Sequence, residues 1–209
     1  MTNVQFDEAT HTYTVDGKVI PSVTQILSSV AVKGKTSTGM DIWNPIGGGN
    51  FFGEPGIAAH FGTEFHVAVK YLQEGREVDY DEQMEPWIKQ WQKFYFEQNL
   101  IEEEIIFLEK PLISKLGFAG TPDRVSRSRK GVIRVRDWKT GISRAPATKW
   151  QVAAYRHLTI ENMGLRSNAK IELQAVRFLK DKYVVDYYDY ATTWNTFLSI
   201  LNILKAGRK

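Results

Sequence analysis

The chain has 209 residues, 43% of them hydrophobic and 12% aromatic, a net charge of +3 and no cysteine. That length and apolar content suit one domain with a sizeable core and argue against disorder. The lack of cysteine excludes disulfides, thiolate zinc sites and iron–sulfur clusters, and fits a reducing intracellular compartment. Met1 to Ala9 lack a charged region followed by an apolar run, so no signal peptide is expected. No apolar stretch approaches membrane-spanning length either. The expectation is a soluble, cytoplasmic protein with no membrane partner.

Thr12 to Val15 and Lys18 to Ile20 flank Asp16-Gly17, the pattern of a β-hairpin. Ser22 with Gln25 three residues later forms a capping-box pattern that opens a helix through Ile26 and Leu27. From Val32 to Gly56 the sequence turns irregular, with Gly47-Gly48-Gly49, Pro45 and Pro55, and a loop this long is functional or mobile. No Gly-Lys-Ser/Thr follows the glycines, so a nucleotide-phosphate loop is unsupported. Helices are predicted from Ile57 to Glu74 and from Glu82 to Gln98. In the second, Met84, Ile88, Trp91 and Tyr95 recur at helical spacing, a stripe that reads as core. Ile105 to Leu112, Gly117 to Ser126 and Val132 to Trp138 read as strands. A helix from Thr148 to Met163 stops at Gly164. Strands over Lys170–Leu179 and Lys182–Tyr188 and a helix from Trp194 close the chain. The fold class is therefore α/β: a central mixed β-sheet flanked by helices, with an N-terminal β-hairpin and helix addition.

Charge is unevenly distributed. From Arg124 to Lys149 there are nine basic residues against the single acid Asp137, whereas Glu74 to Glu104 holds ten acids and three bases. A basic segment can track a phosphate backbone. The plain alternative is a solvated hairpin with ordinary surface charge. Within this segment, Asp137 and Lys139 lie two apart on a predicted strand and so share a face with Ile133 and Val135. If the neighbouring strand pairs with it, Asp123 can approach Asp137. Two carboxylates there repel unless a cation lies between them, and Mg²⁺ takes oxygen ligands while keeping several waters. Lys139 beside it would orient or help deprotonate a water and stabilise a phosphorane-like transition state. Asp-x-Lys alone is weak, since a chain this long holds about one by chance; Asp16-Gly17-Lys18 is another and reads as a turn. The weight lies in Pro122-Asp123 and Asp137-x-Lys139 together, each on a predicted strand, with a basic turn between.

Five segments fall in a telling order: Pro21-Ser22-Val23-Thr24, Gly62-Thr63-Glu64-Phe65-His66, Gly120-Thr121-Pro122-Asp123, Asp137-Trp138-Lys139-Thr140, and Gln151-Val152-Ala153-Ala154-Tyr155. From about Phe6 onward the chain resembles the PD-(D/E)XK nuclease superfamily in its RecB-like branch, which includes phage and mitochondrial genome-maintenance exonucleases. The resemblance implies a restriction-endonuclease-like core and a single nuclease domain over residues 1–209. Its catalytic core would span 57–209, after an addition of hairpin, helix and Gly-rich loop over 1–56. It implies Asp123 and Asp137 as metal ligands, with the Trp138 carbonyl and His66 as further ones and Lys139 as the catalytic lysine. The metal would be Mg²⁺, with Mn²⁺ able to substitute. A glutamate before Asp123 is also implied; Glu109 is the choice, with Glu103 and Glu104 as competitors. His66, read without the motif order, would be an ordinary core or surface histidine.

Gln151 and Tyr155 share a helix face and would border the active site and the nucleic acid, Gln151 also serving catalysis; the alternative for Tyr155 is core packing. Arg124 and Lys149 are further candidate nucleic-acid contacts. His11, His60 and His157 show no partner pattern. The absence of cysteine excludes the branch members that carry an iron–sulfur cluster and argues against the CRISPR-adaptation subgroup. The implied activity is a metal-dependent deoxyribonuclease, foremost an exonuclease in phage recombination or DNA processing. DNA would be its partner, a phage single-strand annealing or binding protein a candidate second one, and the host cytoplasm its location if phage-encoded. Oligomeric state stays open. Alternatives are a structure-specific endonuclease, a catalytically silent DNA-binding module, and a phosphoesterase for small molecules.

Overall fold

The computed structural model describes residues 4–7, 10, 12–35, 41–45, 57–141 and 147–207. His11, the glycine triplet Gly47–Gly49 and Arg144 lie outside the described residues. Strands β1 (Val4–Asp7), β2 (Thr12–Val15) and β3 (Lys18–Ile20) form an antiparallel sheet. The hairpin of β2 and β3 is the expected one. β1 was not anticipated, being too short to display an alternation. Helix α1 (Val23–Ser28) opens on the expected capping box: Gln25 N–H donates to Ser22 Oγ at 3.1 Å, and Ser22 N–H to Gln25 Oε1 at 2.9 Å. Strands β4 (Ala31–Lys35) and β5 (Asp41–Pro45) pair antiparallel. The stretch from Val32, expected to be irregular, thus contains a β-ribbon, and its remaining residues, 36–40 and 46–56, lie outside the described ones.

Helices α2 (Ile57–Gln73) and α3 (Glu85–Glu97) follow, the latter entered through a 3₁₀ turn at Glu82–Met84 with Pro86 in its first turn. The rest of the chain is β6 (Glu104–Leu108), β7 (Leu112–Ser114), β8 (Phe118–Gly120), β9 (Arg124–Arg127), β10 (Ile133–Lys139), α4 (Thr148–Met163), β11 (Ile171–Phe178), β12 (Tyr183–Tyr188) and α5 (Tyr190–Ala206). The central sheet has the order β12-β11-β10-β9-β6. Only β10 and β11 are parallel, and α4 is the crossover that parallel pairing requires. Among the described residues, no helix is long and apolar enough to cross a membrane.

Alternation along β10 divides the interior. Ile133 and Val135 enter a core with Val23 and Ile26 of α1, Val152 and Leu158 of α4 and Phe197 of α5. Trp138 points the other way, into a second core with Phe65 and Val69 of α2 and Ile88, Trp91 and Phe94 of α3. Helices therefore cover both faces of a mixed sheet. Of the stripe expected on α3, Met84, Ile88 and Trp91 are buried and Tyr95 is half-buried.

Two expected strands are broken. Gly117 to Ser126 is not one strand but β8 and β9, which belong to different sheets. Thr121-Pro122-Asp123 separates them, and Pro122 has no N–H to offer a ladder. Similarly, the strand expected over Ile105–Leu112 ends at Leu108, where Glu109 takes φ +45°. Both breaks place an acid at a strand end.

Gly120, at the end of β8, lies directly under α4. A Cβ there would come within 2.8 Å of Tyr155 Cε1 and 2.9 Å of Val23 Cγ2. Gly120→Ala is therefore expected to destabilise the fold by roughly 2 kcal/mol through overpacking. Urea unfolding checks this, and an unchanged midpoint would show that α4 can simply move away.

Candidate active site

β6 and β10 both run antiparallel to β9. Their C-terminal ends therefore meet the start of β9 at one edge of the sheet. The last registered pairs there are Leu108 with Arg124 and Arg136 with Arg124. One residue further on each strand come Glu109, Asp123 and Asp137. Glu109 N–H donates to the Asp123 carbonyl at 3.3 Å, and Trp138 N–H donates to Asp123 Oδ2. The left-handed backbone at Glu109, together with a register shift between Ile105 and Phe107, turns its side chain toward this edge. For a non-glycine residue that conformation costs on the order of 1 kcal/mol, a strain found where a site needs it.

Helix α2 supplies His66, held in place by the buried flanking residues Phe65 and Val69. Its Nδ1 is 3.3 Å from Asp123 Oδ1 and 3.6 Å from Glu109 Oε1. Donor atoms of His66, Glu109 and Asp123 all lie within 4.8 Å of one another. Asp137 is not in that group; its Oδ2 is 2.8 Å from Lys139 Nζ. Burial, reinforced by the Asp123 charge, lifts Glu109 to about 7. Burial likewise lifts Asp137 to about 6, with Asp123 adding to it and Lys139 opposing. For His66, burial works against the cation, but Asp123 and Glu109 together hold its pKa well above the usual value.

The residues fit a divalent cation. Acids crowded and buried at one edge resist ionisation until a positive charge offsets their repulsion. Carboxylate oxygens and an imidazole nitrogen are both donors that hard and borderline divalent cations accept.

Beside this cluster runs a hydrogen-bonded chain. Lys139 Nζ donates to Gln151 Oε1 at 3.1 Å, and Gln151 Nε2 donates to the Tyr155 hydroxyl at 3.0 Å. Burial works to lower the pKa of Lys139, but Asp137 and Asp123 outweigh it and raise it, so the side chain is a cation at neutral pH. Gln151 and Tyr155 sit one helical turn apart on α4, as their spacing requires. Tyr155, however, is 5% exposed and its ring belongs to the core. Expected as a nucleic-acid contact, it instead holds Gln151 in place from beneath.

Arg124 also departs from expectation. It is fully buried on the opposite face of the sheet, donating to Gln73 Oε1 at 2.7 Å and to the Leu100 carbonyl at 2.9 Å. A side chain so enclosed cannot touch DNA. Much of the basic hairpin is neutralised in the same way. Arg134 and Arg136 bond to Glu103, Arg127 to Glu104, and Arg129 pairs with Glu102. The end of the acidic stretch, Glu102 to Glu104, thus partners five arginines of the basic one. Glu103 and Glu104, the competitors for Glu109, are accounted for by those bonds.

Lys149 is exposed in the first turn of α4. His157 stacks on Trp194 with 4.3 Å between ring centroids, and His60 lies 3.4 Å from Glu64 on the surface. Sequence reasoning missed Tyr13, whose hydroxyl is 2.6 Å from Thr121 Oγ1. The only signal was its position in the alternation of β2. Lys70, one turn beyond His66, was missed as well; its charge helps hold Glu109 down against burial.

Among curated proteins, no match to the chain was found. The chain is similar to the solved structure of an alkaline exonuclease from Laribacter hongkongensis, at 13% identity and a TM-score of 0.35, over 72% of this chain and 83% of that one. Residues 55–204 match the sequence profile of the PD-(D/E)XK nuclease superfamily. That span contains both the cation cluster and the Lys139–Gln151 pair, and the chain belongs to this superfamily.

Proposed function

We propose that the chain is a Mg²⁺-dependent deoxyribonuclease of the RecB-like branch, acting as an exonuclease in phage recombination or DNA processing. The observation that carries the reading is the meeting of His66, Glu109 and Asp123 within 4.8 Å at the sheet edge where Asp137 and Lys139 also end. His66, Glu109, Asp123 and Asp137 would hold the cation, with the Trp138 carbonyl as a further donor. When bound, Mg²⁺ supplies positive charge at the scissile phosphate and makes a nearby water more acidic.

The chain's own residues do the rest. Lys139, kept cationic by Asp137 and aligned by Gln151, stabilises negative charge that builds on the phosphate oxygens. Lys149, exposed in the first turn of α4, offers a backbone-phosphate contact. A silent binding module has no use for mutually repelling acids, one of them on a strained backbone. The exonucleolytic mode and the phage setting rest on the sequence resemblance of the five ordered segments.

End-labelled linear DNA and covalently closed circles, each with Mg²⁺ or with chelator, test this. Linear DNA should be degraded from its ends only with metal, and circles should persist. Nicking of the circles would make the enzyme an endonuclease, and full activity in chelator would end the metal mechanism.

A further inference from the structure

We propose that the N-terminal hairpin completes the cation site through Tyr13, a positioning residue that sets metal affinity by fixing the connection carrying Asp123. The proposal rests on the metal-dependent reading above. Tyr13 lies outside residues 55–204, the part of the chain that matches the superfamily, so nothing in that match assigns it a role.

The hairpin is joined to the core beside the site. Ala119 N–H donates to the Pro21 carbonyl at 3.0 Å, and Ser22 bridges Ala119 in parallel fashion. Tyr13 is 3% exposed, and its ring packs on Phe6 with 4.6 Å between centroids. The hydroxyl meets Thr121 Oγ1 at 2.6 Å. Thr121 opens the short connection between β8 and β9 that ends in Asp123.

That connection is held at both ends. Gly120 is pressed against Tyr155 and Val23, and Asp123 is gripped by the Trp138 N–H. Between them stand Pro122, whose ring fixes its own φ, and Thr121, tied across to Tyr13. Tyr13 thus braces the connection that carries Asp123, one of the three clustered donors. A cation site works only if its ligands are already in place, because any freedom left in them must be removed on binding. Cutting the Tyr13–Thr121 bond would return freedom to the Asp123 connection without touching a ligand.

The test measures metal uptake directly, by the loss of the free Mn²⁺ resonance and by calorimetry with Mg²⁺, on wild type, Tyr13→Phe, Thr121→Val and the double variant. Tyr13→Phe keeps the buried ring and removes only the hydroxyl. It should raise the metal Kd about fivefold to tenfold, the effect of one hydrogen bond. Cleavage should recover at saturating metal, with kcat nearly unchanged. The melting temperature in chelator should fall by no more than a few degrees. Thr121→Val should show the same defect, and the double variant should be no worse than either single one.

Wild-type metal affinity in Tyr13→Phe overturns this proposal alone, as does simple addition of the two defects in the double variant. If the wild type itself takes up no Mn²⁺, the metal-dependent reading fails, and this proposal fails with it.

Discussion

Replacing Lys139 with methionine should lower single-turnover cleavage of linear DNA by about 10²–10³-fold or more, while DNA binding persists. The residue is placed for charge stabilisation. Its Nζ sits 2.8 Å from Asp137 Oδ2 and 3.1 Å from Gln151 Oε1, and its neighbours keep it protonated. A group with a raised pKa is a poor general base near neutrality. Its contribution is therefore positive charge aimed at the phosphate rather than removal of a proton from water. Methionine keeps most of the aliphatic stem and removes the ammonium, with its charge and its bond to Gln151.

One complication can be separated by measurement. Asp137 is already lifted to about 6 by burial, with Lys139 opposing the shift. Without the ammonium it should rise further, so part of the lost activity at pH 7 would reflect an acid that ionises less readily. Raising the pH and saturating with Mn²⁺ removes that part and leaves the transition-state loss. Gln151→Ala should cost far less, since Gln151 aligns the cation but carries no charge. Cleavage by Lys139→Met within tenfold of wild type would refute the assigned role.

The site was legible in sequence to the extent that it depends on short-range order. Asp137 and Lys139 share a face because strands alternate, and Gln151 and Tyr155 share one because helices repeat. The edge of the sheet then follows from where the apolar run of β10 ends. Arg124 and Tyr155 were misplaced because a residue's chemistry does not reveal which side of a sheet, or which depth of a helix, it occupies. Arg124 sits beside Asp123 in sequence and so faces the opposite side of the sheet. Glu109 could be favoured over Glu103 and Glu104 only as a residue of the strand expected from Ile105, a strand that ends one residue before it. The positive φ that aims it, like the break at Thr121–Asp123, is a tertiary demand that overrides strand propensity. Tyr13 was invisible because its partner Thr121 lies 108 positions away.

The face of the sheet opposite Asp137 carries the other large expected effect: Glu103→Ala should destabilise the protein by about 3–5 kcal/mol at pH 7. Glu103 Oε2 accepts from Arg136 Nη1 at 2.6 Å and from Ser126 Oγ at 2.6 Å. Glu103 Oε1 accepts from Arg136 Nη2 at 3.0 Å and from Arg134 Nη1 at 2.6 Å. Arg124, with an Nη2 3.7 Å from Oε2, is drawn to the same carboxylate. Arg124 and Arg136 are 0% and 1% exposed, so neither can reach water if the glutamate is removed. Gln174 and Gln73 would still accept one bond each, but no negative charge would remain between the two buried guanidinium groups.

Glu102, its neighbour, faces solvent and pairs with an exposed arginine. Glu102→Ala should therefore change stability by less than about 1 kcal/mol, which makes it the control. The dependence on pH has a definite sign. Burial acts to raise the Glu103 pKa, but the bonds from Arg136, Ser126 and Arg134 win and lower it to about 2. A depressed carboxylate stabilises the fold above its unfolded pKa of about 4.5, and that contribution is lost as the pH falls toward 2. The stability gap between wild type and Glu103→Ala should therefore be full at pH 6–7 and narrow steadily below pH 4.5. A gap under 1 kcal/mol at pH 7, or one that widens in acid, would mean that the arginines are satisfied without it. Because Arg124 and Arg136 directly adjoin Asp123 and Asp137 in the chain, the same substitution should also loosen the strands that carry both acids. Metal affinity should then fall in the fraction that stays folded, although Glu103 lies on the far side of the sheet from Asp137.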